Sequence, residues 1–125
     1  MTTAGRRRAL GQHFLRDAGI ARRIVEIAGL TPADLCVEIG PGEGVLTFLL
    51  AERAGRLLAL EVDEKLVEGL RLRLAALPHV EVREADARSF DYSTLTALRP
   101  SPEGRVVIVG NLPYSVSKPI LERLV

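Results

Sequence analysis

Long apolar runs are missing from this sequence, and no stretch approaches the roughly eighteen residues a membrane helix needs, so no membrane partner is expected. Cysteine is almost missing too. Cys36 is the only one, so no disulfide can form within the chain, which fits a reducing, cytoplasmic setting. It stands in an apolar run and reads as a small core residue, not a nucleophile. The first ten residues carry three arginines but no apolar h-region, which argues against a secretory signal. Internal repeats and low-complexity linkers are absent as well. The sparse cysteine and histidine offer neither a zinc site nor a catalytic triad, and no metal is expected.

What remains is an ordinary globular composition: 125 residues, 47% hydrophobic and 26% charged, enough for one domain with a core. The net charge is only +1, yet its distribution is lopsided. Arg6, Arg7, Arg8, Arg16, Arg22 and Arg23 face a single acid, Asp17, within residues 1–23, a local charge of +5 against −4 for the rest. A basic arm over residues 1–16 on a mildly acidic domain over 17–125 suits contact with a phosphate backbone. A solvated terminus explains the arginines equally well.

Along the domain, short apolar runs alternate with helical periods. Asp17 is placed to cap a helix carrying Ile20, Ile24, Ile27 and Ala28, with Gly29 ending it. Leu35 to Ile39 reads as a strand, Val45 to Arg53 as a helix, and Leu57 to Glu61 as a second strand. Asp63 is placed to cap a helix through Leu66, Val67, Leu70 and Leu74, closed by Pro78. Val80 to Val82, a helical turn over Tyr92 to Leu98, and Arg105 to Val109 follow. A last amphipathic helix is expected from Ser117, still running at Val125. The alternation predicts an α/β fold: a Rossmann-like, doubly wound parallel sheet with helices on both faces and its ligand outside the carboxyl ends of the strands. Because the pattern stops inside a helix with one sheet edge uncovered, the chain is expected to be truncated.

Glu38-Ile39-Gly40-Pro41-Gly42-Glu43-Gly44 joins the first strand to its helix. Glycine permits positive φ and close approach of a ligand to the backbone, which makes Gly40 and Gly42 candidate ligand positions. The spacing is Gly-x-Gly-x-Gly, so the dinucleotide fingerprint, with its third glycine one residue later, is not met. Glu61 ends the second strand, 21 residues after Gly40, where a doubly wound site places a carboxylate on ribose hydroxyls. Asp86, expected at the end of the third strand, is an acceptor suited to an exocyclic adenine amine. Alone it reads more often as a turn or cap residue.

Val107 to Tyr114 is the most specific segment. An exocyclic adenine nitrogen is a poor nucleophile because its lone pair is delocalised into the ring. Two acceptors on its N–H groups would draw it toward tetrahedral geometry. Asn111 Oδ1 can supply one. The Leu112 carbonyl can supply the other, since Pro113 biases Leu112 to an extended conformation. Tyr114 offers a π face for an unstacked base. A proline turn with a packed tyrosine is the plainer alternative.

Gly11-Gln12-His13-Phe14-Leu15, Val37 to Gly42, Leu60-Glu61-Val62-Asp63, Ala85-Asp86-Ala87 and Gly110 to Tyr114 together closely resemble the KsgA-type ribosomal RNA adenine dimethyltransferases. They occur in the family's order and cover nearly the whole chain. The resemblance implies the class I methyltransferase fold and S-adenosylmethionine as cofactor, touched by His13, Leu15, Gly40, Glu61, Asp86 and Asn111. It also implies dimethylation of two adjacent adenines in the 3′-terminal hairpin of small-subunit ribosomal RNA, on the pre-30S particle, by a monomer. Asn111, Leu112, Pro113 and Tyr114 would carry the chemistry. The chain departs from the family at His13, where asparagine is usual. It is also expected to stop short of the further strands and helical C-terminal domain in which the family continues.

The expected reaction is direct transfer of a sulfonium methyl to adenine N6, in which the protein's task is mostly positioning. The proton leaves after attack, so no strong base is sought. Rival readings are an Erm-type methyltransferase of large-subunit ribosomal RNA and a methyltransferase-like assembly factor without turnover. An NAD-dependent oxidoreductase fits poorly, because the glycine spacing is wrong for it.

Overall fold

The computed structural model describes residues 18–111 and 119–124, and for Asn111 and 119–124 it describes the backbone alone. The arm over residues 1–16 with His13 and Leu15, the cap expected at Asp17, and Leu112, Pro113 and Tyr114 lie outside the described residues.

In chain order the elements are α1 (Ala18–Ala28), β1 (Leu35–Ile39), α2 (Val45–Arg53), β2 (Arg56–Glu61), α3 (Glu64–Arg73), β3 (Val80–Glu84), a 3₁₀ segment (Tyr92–Leu98), β4 (Val106–Asn111) and β5 (Pro119–Leu124). The sheet order is β3-β2-β1-β4-β5, with the first four strands mutually parallel. The chain steps outward from β1 to β3, then returns across the sheet to β4. Right-handed crossovers therefore put α2 and α3 on one face and the β3–β4 connection on the other.

The packing follows that rule. Cys36, Leu57, Val107 and Val109 meet Leu46 and Leu50 of α2 and Ala21, Val25 and Ala28 of α1. Ala59 and Val82 extend this face toward Val67 and Leu70 of α3. On the opposite face Leu35, Val37, Ile39, Leu58, Leu60 and Ile108 pack on Leu95 of the 3₁₀ segment. All three described α-helices thus share one face, and a 3₁₀ segment covers the other where the sequence predicted helices on both.

Two local expectations shift. On α1 the buried stripe is Ala21, Val25 and Ala28, while Ile20 and Ile27 are exposed. Small alanines let α1 approach the sheet and α2 closely, leaving the isoleucines at the margins. The helix predicted from Ser117 is a correction: Pro119–Leu124 forms β5, antiparallel to β4 from Val106↔Leu124 to Asn111↔Pro119. Spacing of Ile120, Leu121 and Leu124 suits either element, and the open edge of β4 rewards the strand because its N–H and C=O groups gain partners. Pro119 stands at the first strand position, where its missing N–H is tolerated.

The amino ends of β1 and β4 are bolted together. Asp34, 1% exposed, accepts from Arg105 N and Nε through Oδ1 (2.7 and 3.4 Å) and from Arg105 Nη2 and Thr31 N through Oδ2 (2.7 and 2.9 Å). Arg105 Nη2 also reaches the Gly29 carbonyl at 2.6 Å, which ties in the end of α1. Burial raises the carboxyl's pKa, but the Arg105 and Thr31 bonds outweigh it and hold Asp34 at about 2.

Candidate active site

Register brings the candidate positions level. Ile39 pairs with Leu60 on one side and Gly110 on the other, so Gly40, Glu61 and Asn111 follow at one height, at the carboxyl ends of β1, β2 and β4. This is where the sheet order reverses, the usual ligand crevice of a doubly wound sheet.

Gly40, Gly42 and Gly44 all adopt positive φ, at 68°, 58° and 94°. Such a run of left-handed residues is open to glycine and costly to residues with a Cβ. A Cβ at Gly44 would also come within 2.7 Å of Leu70 Cδ2. Gly44 is the N-cap of α2 and gives no side-chain cap, so the first turn of the helix presents N–H groups without a side-chain cap partner, suited to an anion.

Glu61 is 4% exposed. Its Oε1 accepts from Gly42 N (3.3 Å) and its Oε2 from Asp63 N (2.9 Å). The residue predicted to hold a ribose is therefore also a staple between the glycine turn and the end of β2. Asp63 then caps α3, accepting from Lys65 N and Leu66 N at 2.9 and 3.3 Å. Beside them Val62 leaves an apolar side chain 52% exposed.

Asp86 lies two residues past β3, in the turn and not in the strand that the sequence predicted it would end. It accepts from Arg88 N and Nε through Oδ1 (2.9 and 3.3 Å) and from Arg88 Nη2 through Oδ2 (3.1 Å). These Arg88 bonds, side chain first and then backbone, hold its carboxyl below the usual range. The turn is pinned from behind, where Tyr92 donates to the Ala87 carbonyl at 2.6 Å and packs edge-on against Phe90 at 5.1 Å.

Asn111 closes β4, with its backbone paired to Pro119. Gly40, Gly42, Glu61, Asp86 and the Asn111 backbone thus gather at one end of the sheet. His13, Leu15, Leu112, Pro113 and Tyr114 are not among the described residues. Among those described, no group of three or more His, Cys, Asp or Glu side chains could hold a metal, and no helix is long and apolar enough to cross a membrane.

The sequence reading gave Glu38 no role. It is 1% exposed, and its Oε1 accepts from Thr47 Oγ1 at 2.5 Å. Burial, then the charge of Glu61, raises its carboxyl to about 8 despite the lowering effect of the Thr47 bond. The signal was available: an acid in the middle of an otherwise apolar strand is rarely fully buried without a reason.

The wider resemblances agree with this geometry. Over 118 residues the chain is 46% identical to ribosomal RNA small subunit methyltransferase A of Rubrobacter xylanophilus, covering 94% of this chain and 42% of that protein. The chain therefore spans about two-fifths of that relative's length. Among solved structures, the 23S rRNA methyltransferase ErmE aligns with a TM-score of 0.59 at 32% identity, over 78% of this chain and 47% of that one. The N-terminal domain of EvdMO1, with SAH bound, aligns at 0.52 and 30% identity, over 64% of this chain and 34% of that one. Residues 4–125 match the family of ribosomal RNA adenine dimethylases, and the chain belongs to that family.

Proposed function

We propose that this chain carries the cofactor- and adenine-handling part of an S-adenosylmethionine-dependent methyltransferase. Its substrate is two adjacent adenines in the 3′-terminal hairpin of small-subunit ribosomal RNA, dimethylated at N6. The observation that carries the reading is the level placement of Gly40, Glu61 and Asn111 at the sheet's reversal point. Family membership and the small-subunit name of the 46% identical relative support the substrate.

The donor set fits the cofactor. The glycine turn and the start of α2 suit its carboxylate, Glu61 its ribose diol, Asp86 its adenine amine, and Val62 an apolar face of the base. His13 and Leu15 would complete the cradle from the N-terminal side. When bound, S-adenosylmethionine supplies a methyl group already activated by the sulfonium. The chain's own work is positioning: Asn111 and the Leu112 carbonyl accept the two N6 hydrogens, Pro113 fixes that carbonyl, and Tyr114 stacks the base. The proton goes to solvent after attack. The enzyme works as a cytoplasmic monomer on the pre-30S particle, with the basic arm on the RNA backbone.

One observation favours a second reading, methylation of large-subunit RNA: the 32% identity to ErmE. Incubation with labelled cofactor and both ribosomal subunits, followed by mapping of methylated adenines, separates them. Label in the small-subunit hairpin is expected, and label confined to large-subunit RNA overturns the assignment.

A further inference from the structure

β1 is buried along its whole length, and Glu38 is its only acid. The side chain lies on the Cys36 side of the sheet, toward α2, where Thr47 in the first turn of that helix donates to Oε1. Its other oxygen, Oε2, is buried with no hydrogen-bond partner among the described residues. Gly40 follows two residues later, so this incompletely paired carboxyl sits beneath the glycine turn and the start of α2. An ionised carboxylate so placed would be costly, and staying neutral relieves that cost. Burial, reinforced by the charge of Glu61, does keep the proton on, to about pH 8.

Among the described residues the titratable groups around it are few. β2 contributes Glu61, and β1 itself contributes the Cys36 thiol, which burial pushes further toward its neutral form. Thr47 on α2 and Val109 and Gly110 on β4 do not titrate. Glu43 in the turn is exposed, and His79 bonds the Ala51 carbonyl near the far end of α2. No described basic side chain bonds Glu38, so a cation arriving at the turn would be a new electrostatic partner.

We propose that Glu38 keeps its proton in the cofactor-free protein and releases it to solvent as the methionine end of S-adenosylmethionine seats above it, with the cofactor's carboxylate on the α2 N–H groups and its ammonium and sulfonium toward Glu38, so that cofactor binding is proton-linked. The inference rests on the cofactor reading above. Glu38 is a positioning residue in this scheme. It supplies the negative charge only when the cofactor's positive charge is there to compensate it.

The test is calorimetric titration of S-adenosylmethionine into the protein at pH 7, in buffers of different ionisation enthalpy, for wild type and Glu38→Gln. Wild type should release close to one proton more per cofactor than the variant, and its affinity should rise approaching tenfold per pH unit between about pH 6 and 7.5. The variant's affinity should be nearly flat over that range. Equal proton counts in the two proteins overturn the proposal while leaving the cofactor reading intact. No binding by either protein overturns the cofactor reading and this proposal together. A cofactor-free readout accompanies it: the melting temperature of wild type should fall from pH 5 to 8 and that of Glu38→Gln should not, and parallel curves also overturn the proposal.

Discussion

Two buried carboxylates stand four residues apart at opposite ends of β1, and they are treated in opposite ways. Asp34 has both oxygens bonded, faces Arg105, and is held at about 2. Glu38 has one bonded oxygen, Glu61 as its charged neighbour, and is pushed up to about 8. The amino end of the sheet is stitched closed with complementary charge. The carboxyl end gathers Glu38, Glu61 and Asp86 beside positive-φ glycines, with Arg88 bonded to Asp86 and no described basic side chain bonded to Glu38, an arrangement that a cationic nucleoside would complete. One strand thus joins an end that holds the sheet to the end at which the cofactor is proposed to bind.

The sharpest division would come from Asn111→Ala at the carboxyl end. Loss of an acceptor aimed at N6 should cut methyl transfer about 100- to 1000-fold, with little change in melting temperature or RNA affinity. Near-normal turnover in a labelled-methyl assay would remove Asn111 from the chemistry.

Asp34→Ala should do the reverse, costing about 3 kcal/mol of stability by taking from Arg105 its carboxylate partner while sparing cofactor affinity of the folded protein. Denaturant titration checks the first part and calorimetry the second. The pH signs differ as well. The contribution of Asp34, whose folded pKa is lowered from 3.8 to about 2, is present above pH 4 and lost as pH falls through 2. That of Glu38, raised from 4.5 to about 8, is full below pH 4.5 and lost as pH rises through 8.

Glu61→Ala tests where the two roles overlap, since this side chain both staples the glycine turn and is assigned to the ribose. Cofactor binding should weaken by roughly 1–3 kcal/mol, measured calorimetrically. Unchanged affinity would leave Glu61 as a staple only. The smallest effect is expected from deleting residues 1–16: RNA affinity should then fall less steeply with salt than in the intact protein. Equal slopes in filter binding would return the arm to a solvated terminus.

Much of the carboxyl end was legible because it is written locally. Gly40, Gly42 and Gly44 cluster in a strand-to-helix turn where glycine permits positive φ, Asp63 announces a cap, and a five-residue strand was delimited correctly at Leu35 and Ile39. What escaped depends on long-range partners. Asp34 and Arg105 are 71 residues apart in sequence, and no periodicity joins them. The rotated buried stripe of α1 depends on how closely alanine lets it approach the sheet and α2. β5 depends on an open strand edge that only the assembled sheet presents. Glu38 was visible as a residue, but its incomplete pairing required knowing that Thr47 reaches one oxygen and nothing described reaches the other.

The central claim, that the carboxyl ends of β1, β2 and β3 hold the cofactor while the amino ends only hold the sheet, can be read amide by amide. In an isotope-labelled sample titrated with S-adenosylmethionine, the amide signals of Gly40, Gly42, Val62 and Ala85 should shift, while those of Thr31, Gly104 and Arg105 stay in place. Shifts confined to the second group, with the glycine turn unmoved at saturating cofactor, would contradict the account.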